Sequence, residues 1–234
     1  MTDDRSRCAA GNHEIFCALE SHLLRKIDGS RFTNRFPAGH VFCEEGDAAR
    51  AVHCVLEGAV KLVRSGERGD NQVVGLLGPN ALFGLRPLLA GDGFAVRAVA
   101  IEDSLVCMIP KSTFTGLLRE SPPFAFAVMA YLAREIRFAQ DLLMALTQRT
   151  VKRRVADVLL LLNGYQVEGG DWSPFPQVKL KRREIAEMVS TTPETLSRTL
   201  AELAKQKLIH VTRKEIVILD AQGLQQLERF AGST

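Results

Sequence analysis

The feature that most constrains this sequence is a change of period near residue 120. Before it, glycines recur every few residues and separate short runs of aliphatic and β-branched residues. After Pro122 no glycine occurs until Gly164, and the apolar residues take a helical spacing. A single all-β or all-α domain does not account for both halves. The sequence therefore predicts two parts, which 234 residues can accommodate as two modest domains.

The first part, from about residue 33 to 110, has the pattern of an antiparallel sandwich, barrel or roll. Val52, Cys54 and Leu56 alternate with residues that would occupy the opposite face of a strand. Val60–Leu62 and Leu105–Ile109 are further candidate strands. Short strands that repeat at roughly ten-residue spacing, with glycine between them, are typical of these architectures.

A long helix with an apolar seam follows. Six residues recur at spacings of 3, 4, 3, 4 and 3, which is the a/d pattern of a heptad repeat. They are Met129, Leu132, Ile136, Ala139, Leu143 and Leu146. A small β domain offers little surface to cover such a seam, so we expect a homodimer. The alternative is a long helix that packs only on its own domain.

Residues 180–206 have the pattern of a helix-turn-helix. A first helix over about 182–189 precedes a turn at 190–192 and a second helix. Thr192 is a favoured N-cap residue, and Pro193 is a favoured first helical residue. The following runs Leu208–Val211 and Glu215–Leu219 predict a two-stranded wing. A purely structural helical hairpin is the alternative, and it leaves the wing unexplained.

Polar residues at the start of the second helix are the predicted contacts with double-stranded DNA. Glu194, Ser197 and Arg198 share one helical face, and such residues reach base edges in the major groove. Arginine can bond guanine O6 and N7, and glutamate can accept from cytosine N4. Neighbouring basic and hydroxyl side chains are candidates for phosphate contacts. These are Lys181, Arg182, Thr192 and Thr195.

These motifs resemble the cyclic-AMP receptor/fumarate-nitrate regulator (Crp/Fnr) family over roughly residues 20–230. The run Glu194-Thr-Leu-Ser197-Arg198 is similar to the recognition helix of the fumarate-nitrate branch, whereas the cyclic-AMP branch has glycine in place of Ser197. The resemblance implies a winged helix-turn-helix that reads a palindromic operator with TTGAT-like half-sites. It also implies an activator that contacts RNA polymerase.

The expected fold class is α+β, with a cupin-like β-roll in front of the winged helix-turn-helix. We expect an N-terminal arm at 1–20, the β-roll sensor at 21–118, the dimerisation helix at 119–149 and the DNA-binding domain at 150–234. No P-loop, GxSxG or HExxH motif occurs, so we expect no enzyme. No apolar run reaches ~20 residues and the first residues are polar, so we expect a cytoplasmic protein without membrane contact.

The resemblance argues against cyclic AMP as the effector. Family members that bind it carry Phe-Gly-Glu-Leu and then Arg-Ser or Arg-Ala around the phosphate. This chain has Leu85 in place of the glutamate and Phe94 in place of the arginine. A phosphate clamp needs a cation, which only Arg86 or Arg97 could replace.

The cysteines suggest a redox signal. Cys8 and Cys17 match the outer pair of the three N-terminal cluster ligands in oxygen sensors of this family, and Cys107 matches the ligand in the β-roll. The central cysteine is missing, with Gly11 in its place, although an iron–sulfur cluster takes four ligands. A thiol–disulfide switch between the arm and Cys107 is a simpler use of the same residues.

Haem is a further candidate cofactor, because the chain also resembles nitric-oxide-responsive denitrification regulators. Its possible axial ligands are His13, His22, His40 and His53. The sequence therefore leaves a redox, oxygen or nitric-oxide signal, another small ligand, or no ligand. A different class, a cyclic-nucleotide-type binding module that binds no DNA, would share the β-roll but lack the winged helix.

Overall fold

The computed structural model describes residues 14–66, 71–165, 167, 179–213 and 215–227. The chain forms two compact units that divide between Ile136 and Arg137, with residues 71–73 grouped with the second. The predicted α+β class is confirmed: antiparallel sheets dominate the first unit, and helices with a small hairpin form the second.

The first unit is a β-roll with helices at its ends. A 3₁₀ helix at Glu14–Ala18 and helix α1 at Ser21–Asp28 lead into the sheets. The strands are β1 (Phe32–Phe36), β2 (Val41–Cys43), β3 (Ala51–Glu57), β4 (Val60–Ser65), β5 (Asn71–Leu77), β6 (Leu82–Phe83), β7 (Arg97–Ala100) and β8 (Ser104–Pro110). Helix α2 (Leu85–Ala90) lies between β6 and β7, and helix α3 (Lys111–Glu120) follows β8.

Two sheets make up the roll. One has the strand order β1-β8-β3-β6, and the other has the order β2-β7-β4-β5. Strand β3 shows where the simple alternation fails. Val52 and Cys54 are buried as predicted, but Val55 is also fully buried while Leu56 is partly exposed. The β3–β8 register shifts between Val55 and Glu57, so the alternation does not continue through Leu56, because a bulge reverses the faces that follow it.

The core of the first unit joins the sheets to helices α1, α3 and α4. Phe124 at the start of α4 lies at the centre of this contact, and its side chain is fully buried. Its ring centroid is 5.7 Å from that of Phe16 in the 3₁₀ helix and 5.4 Å from that of Phe114 in α3. These three rings hold the first turns of α4 against the roll.

Helix α4 spans Pro122–Gln148 and carries the predicted seam. Its own chain leaves much of that seam uncovered: Met129 is 53% exposed, and Ile136 and Leu143 are each 61% exposed. Ala139 is exposed too, while Leu132 and Leu146 are half-buried. Among the described residues, no helix combines the length and apolarity of a membrane span.

The second unit contains the rest of the chain. Its helices are α5 (Val151–Leu162), α6 (Arg182–Met188), α7 (Pro193–Lys205) and α8 (Ala221–Gln225). Strands β9 (Ile209–Val211) and β10 (Ile216–Ile218) pair antiparallel, as the predicted wing requires. Two apolar faces close the helix-turn-helix, one from each helix. They comprise Ile185, Ala186 and Val189 from the α6 segment and Leu196, Leu200 and Leu203 from α7.

A buried charge cluster fastens α5 to its neighbours in the second unit. Arg153 is only 2% exposed, and its Nε lies 2.8 Å from Asp157 Oδ1 one turn along the helix. Arg149 contacts the other carboxylate oxygen at 2.6 Å. Arg153 also donates to the backbone carbonyls of Gln225 and Leu227. Burial raises the pKa of Asp157, and the two guanidinium groups oppose that shift.

We expect Asp157→Asn to destabilise the second unit by about 3–5 kcal/mol, because it leaves two partly or fully buried guanidinium groups without a counter-charge. Urea unfolding followed by circular dichroism measures the change. The matched control is Glu187→Gln, which breaks the i,i+4 pair with Arg183, whose side chain is 74% exposed. That change should cost at most about 1 kcal/mol. Equal losses in the two variants would contradict the structural role of the cluster.

Candidate functional site

In the second unit, a tight turn joins α6 and α7, the two helices of the helix-turn-helix. Ser190 has a φ of +51°, a left-handed conformation that is uncommon for a residue with a side chain. The Thr191 N–H then bonds the Ala186 carbonyl oxygen at 3.0 Å and ends α6. Thr192 Oγ1 accepts from the Thr195 N–H at 3.2 Å, which confirms the predicted N-cap of α7.

The three residues predicted to read bases share the exposed face at the start of α7. Glu194, Ser197 and Arg198 are all exposed, while Leu196 between them is fully buried. The Arg198 guanidinium donates to Thr195 Oγ1 at 3.2 Å, a contact that orients the side chain without neutralising its charge. A hydrogen bond from the Glu194 backbone N–H, with help from the Thr192 hydroxyl, lowers the pKa of the Glu194 carboxyl. Glu194 is therefore a hydrogen-bond acceptor at neutral pH.

The four predicted phosphate-contact residues lie around this helix start. Lys181 and Thr192 are exposed N-cap residues of α6 and α7, and Thr195 is half-buried. Arg182 is exposed, and it donates to the Thr212 carbonyl oxygen at 2.7 Å. That bond ties the start of α6 to the wing and leaves other guanidinium N–H groups for a phosphate. Their contact with DNA stays a prediction.

Two basic residues have positions that the sequence reasoning missed. By composition the run Lys152-Arg153-Arg154 is typical of a solvated face or a nucleic-acid patch, yet Arg153 is a core residue. Arg213, between β9 and β10 in the same unit, is exposed. Its place in a hairpin turn of charged residues was the available signal, because wing turns are well suited to backbone contacts.

In the part of the β-roll that corresponds to the family's phosphate cassette, neither Arg86 nor Arg97 is free to bind a phosphate. Leu85 and Phe94, which replace the family's glutamate and arginine, are buried. Arg86 forms an ion pair with Asp92 at 2.8 Å, and Arg97 forms one with Glu44 at 3.1 Å. Each guanidinium therefore already has a carboxylate, so neither reproduces the clamp that a cyclic phosphate requires.

The cysteines proposed as cluster ligands do not come together in the described residues. Cys17 is exposed in the 3₁₀ helix, whereas Cys107 is fully buried in β8. Cys8 lies outside the described residues. Within residues 14–66, 71–165, 167, 179–213 and 215–227, no group of three or more His, Cys, Asp or Glu side chains could hold a metal ion. These residues do not fit a cluster site.

The candidate haem ligands differ in their surroundings. His13 lies outside the described residues, and His22 is exposed next to Glu20. His40 lies between the rings of Phe36 and Phe42 at centroid distances of 4.5 and 4.9 Å.

His53 in β3 stacks on Phe83 with a centroid distance of 4.4 Å. Burial lowers the pKa of His53 to about 4, so its ring is neutral near pH 7. Gly84 approaches it closely, since a Cβ there would lie 3.3 Å from His53 Nδ1. The Phe83 ring and the Gly84 backbone thus occupy the space next to the His53 ring, and these residues show no fit to a haem.

Comparison with known proteins identifies the chain. Residues 33–121 match the family described as Cyclic nucleotide-binding domain, and residues 153–227 match the Crp-like helix-turn-helix domain. Over 230 residues the chain is 30% identical to the Global nitrogen regulator of Synechocystis sp., with 97% of each protein covered. The chain belongs to the Crp/Fnr family of transcription regulators. It is a DNA-binding regulator of that type.

Other members of the Crp/Fnr family are similar to the chain over most of its length. The Transcriptional activator protein Anr of Pseudomonas protegens is 29% identical over 183 residues, which cover 78% of this chain and 74% of that protein. The structure of FixK2 from Bradyrhizobium japonicum superposes with a TM-score of 0.72 at 26% identity, covering 86% of this chain and 99% of that one. The Synechocystis relative is named a global nitrogen regulator, and the Pseudomonas relative is named a transcriptional activator.

We expect the stability of the β-roll to fall on acidification because of His53. Its pKa in the folded state is about 4, against 6.5 for an unperturbed histidine, so the unfolded chain binds more protons between these values. Stability is therefore fully present above about pH 6.5 and falls by ~2 kcal/mol between pH 7 and pH 5. Urea unfolding at both pH values measures this loss.

The test compares His53→Phe, which keeps a ring against Phe83, with His22→Gln, which changes an exposed histidine. The pH-dependent loss should shrink in the first variant and persist in the second. An unchanged loss in His53→Phe would show that other groups cause it.

Proposed function

We propose that this chain is a homodimeric activator that reads a palindromic operator with TTGAT-like half-sites in response to a redox, oxygen or nitric-oxide signal. The observation that carries this proposal is the exposed face of Glu194, Ser197 and Arg198 at the capped start of α7. That face offers an acceptor, a hydroxyl and a planar cation within two turns of a helix. This combination suits direct readout of bases in a major groove.

The apolar face of α4 supports the dimer. Three apolar side chains at a heptad spacing are more than half exposed: Met129, Ile136 and Leu143. Such exposed apolar surface is unfavourable in a monomer, and a second copy that packs on the helix buries it. A two-fold dimer presents two recognition helices, and such a pair reads half-sites about one DNA turn, ~34 Å, apart. This symmetry supports a palindromic operator.

The proposed signal rests on two arguments, the exclusion of a cyclic nucleotide and the presence of the cysteines. Arg86 and Arg97 are both ion-paired, which argues against a cyclic nucleotide. The same fold gated by another small ligand, or by none, remains the competing proposal. A ligand or modification that favours one of two poses of the sensor shifts the population of the DNA-binding state.

Two further proposals concern partners and location. A relative named a transcriptional activator supports activation, and an activator contacts RNA polymerase through an exposed surface. We also propose a cytoplasmic location, because that compartment holds the DNA in the bacterial relatives.

We expect Arg198→Ala to abolish specific operator binding while the protein stays folded. Each half-site loses a bidentate contact that contributes about 1–3 kcal/mol, so the dimer loses about 2–6 kcal/mol. Footprinting and a fluorescence titration with a palindromic duplex measure the loss. The matched control is Arg183→Ala, which removes the same charge from α6, where Arg183 pairs with Glu187. Protection of the same half-sites by Arg198→Ala would refute the assigned readout face.

We expect a dimer at micromolar concentration by sedimentation velocity. Ile136→Glu should give a monomer, because it inserts a charge into the seam where Ile136 is 61% exposed in the single chain. The control is Ala130→Glu, which adds the same charge to an exposed position off the heptad seam. A monomeric native protein, or a dimeric Ile136→Glu variant, would contradict this arrangement.

A further inference from the structure

Cys54 and Cys107 lie directly opposite each other in neighbouring strands. They are register partners in the antiparallel pair β3–β8. Opposite residues of an antiparallel pair point to the same face, and their Cα atoms are about 4.5 or about 5.5 Å apart. A disulfide requires Cα atoms about 4.4–6.8 Å apart. The backbone of the β-roll therefore holds these two thiols at a spacing that permits a bond between them.

The surroundings distinguish the two thiols. Thr33 in the edge strand β1 is the other register partner of Cys107, and its hydroxyl and the Arg31 guanidinium both act to lower the pKa of the Cys107 thiol. Arg31 is held in place by Asp28 and by Thr33, each at 2.8 Å. A cation next to a thiol stabilises its thiolate. Cys107 therefore has the neighbouring cation that a nucleophilic thiol needs, and Cys54 is placed opposite it to resolve its oxidised form.

Burial sets the conditions under which this pair reacts. Both side chains are fully buried, and burial raises the pKa of Cys107 even though Arg31 and Thr33 lower it. Reaction therefore requires local opening, for which β1 is well suited. It lies at the edge of its sheet, and its Phe32 is 63% exposed. Such a pair responds to a sustained oxidant and ignores a brief one.

We propose that Cys54 and Cys107 form a redox-active thiol pair, closed to a disulfide by peroxide, that supplies the redox input of this regulator. The Cys107 thiolate attacks one peroxide oxygen, the O–O bond breaks, and a sulfenic acid and hydroxide form. The Cys54 sulfur then attacks the Cys107 sulfur, the S–O bond breaks, and water leaves. Two thiols and one peroxide thus give one disulfide and two waters. A thiol reductant reverses the bond.

The first unit also offers a route from this pair to the dimerisation helix. Tyr131 of α4 packs against the core, next to Cys54 and to the backbone of Leu82, the register partner of Cys54 in β6. Closing the disulfide draws the two sulfurs to about 2.05 Å, well inside a non-bonded contact. A packed core transmits such a shift to its neighbours, and Tyr131 lies on the helix that carries the seam. Only this effect on DNA binding rests on the proposed function.

This assignment replaces the switch between the N-terminal arm and Cys107 that the sequence suggested. In the described residues Cys17 is exposed, whereas Cys107 faces Cys54 inside the sheet. Cys43 serves as a matched control. It is a buried thiol whose pKa burial raises to about 11, but its strand β2 pairs with β7, where Ala98 lies opposite.

The experiment treats the full-length protein with hydrogen peroxide, blocks remaining thiols under denaturing conditions and maps tryptic peptides by mass spectrometry. Trypsin releases Cys54 in residues 51–61, Cys107 in 98–111, Cys43 in 36–50, and Cys8 with Cys17 in 8–25, so each link is unambiguous. The expected product joins 51–61 to 98–111 and disappears on reduction. A link from 8–25 to 98–111, or sulfinic acid without a link, overturns the proposal.

The same samples are titrated with a palindromic operator. Oxidation should change the Kd at least about fivefold in the native protein and in Cys43→Ala, and should have no such effect in Cys54→Ala. A linked peptide without a change in Kd overturns the regulatory role. If the reduced protein binds no operator, the proposed DNA readout fails, while the peptide map still decides whether the thiol pair exists. The native protein alone yields the map, so an unfolded variant does not prevent a decision.

Discussion

The apolar face of helix α4 is the constraint on which the rest of this protein depends. Its first turns bury Phe124 in the β-roll core, but Met129, Ile136 and Leu143 further along stay exposed within the single chain. Burial of such a face is worth about 25 cal/mol per Å² of apolar surface, so a second copy is the natural cover. In the homodimer that we propose, two copies related by a two-fold axis present two recognition helices, and the proposed palindromic operator follows from that symmetry.

The contacts of four arginines explain why the start of α7 can bind an anion while the corresponding region of the β-roll does not. Arg86 and Arg97 in the β-roll are neutralised by carboxylates, and Arg153 is committed to Asp157 in the core of the second unit. Arg198 instead contacts the hydroxyl of Thr195, which directs the guanidinium without cancelling its charge. The chain has a modest net charge of +3, and we propose that Arg198, on an exposed helix face, is the cation that reads bases.

The sequence predicted the features that depend on local rules. Thr192 and Pro193 indicated the start of α7. A hydroxyl N-cap accepts a hydrogen bond from a free N–H group of the first turn, and a proline there has no N–H group to satisfy. The seam of α4 and the wing strands were readable from their periods for the same reason. The features that it did not predict depend on tertiary contacts: the bulge after Val55, the burial of Arg153 and the pairing of Arg86 with Asp92. Each depends on which distant or neighbouring group completes a contact.

By itself, the sequence determined the order of the parts and the family to which they point, and it predicted the recognition face of Glu194, Ser197 and Arg198. Periodicity and capping are properties of consecutive residues, so they need no knowledge of the fold. Only the tertiary structure decided that Cys107 faces Cys54 across β3 and β8. These residues are far apart along the chain, and a shift of one residue in register between the two strands would place the thiols on opposite faces of the sheet. Register is set by the whole sheet and its core, which no short motif records.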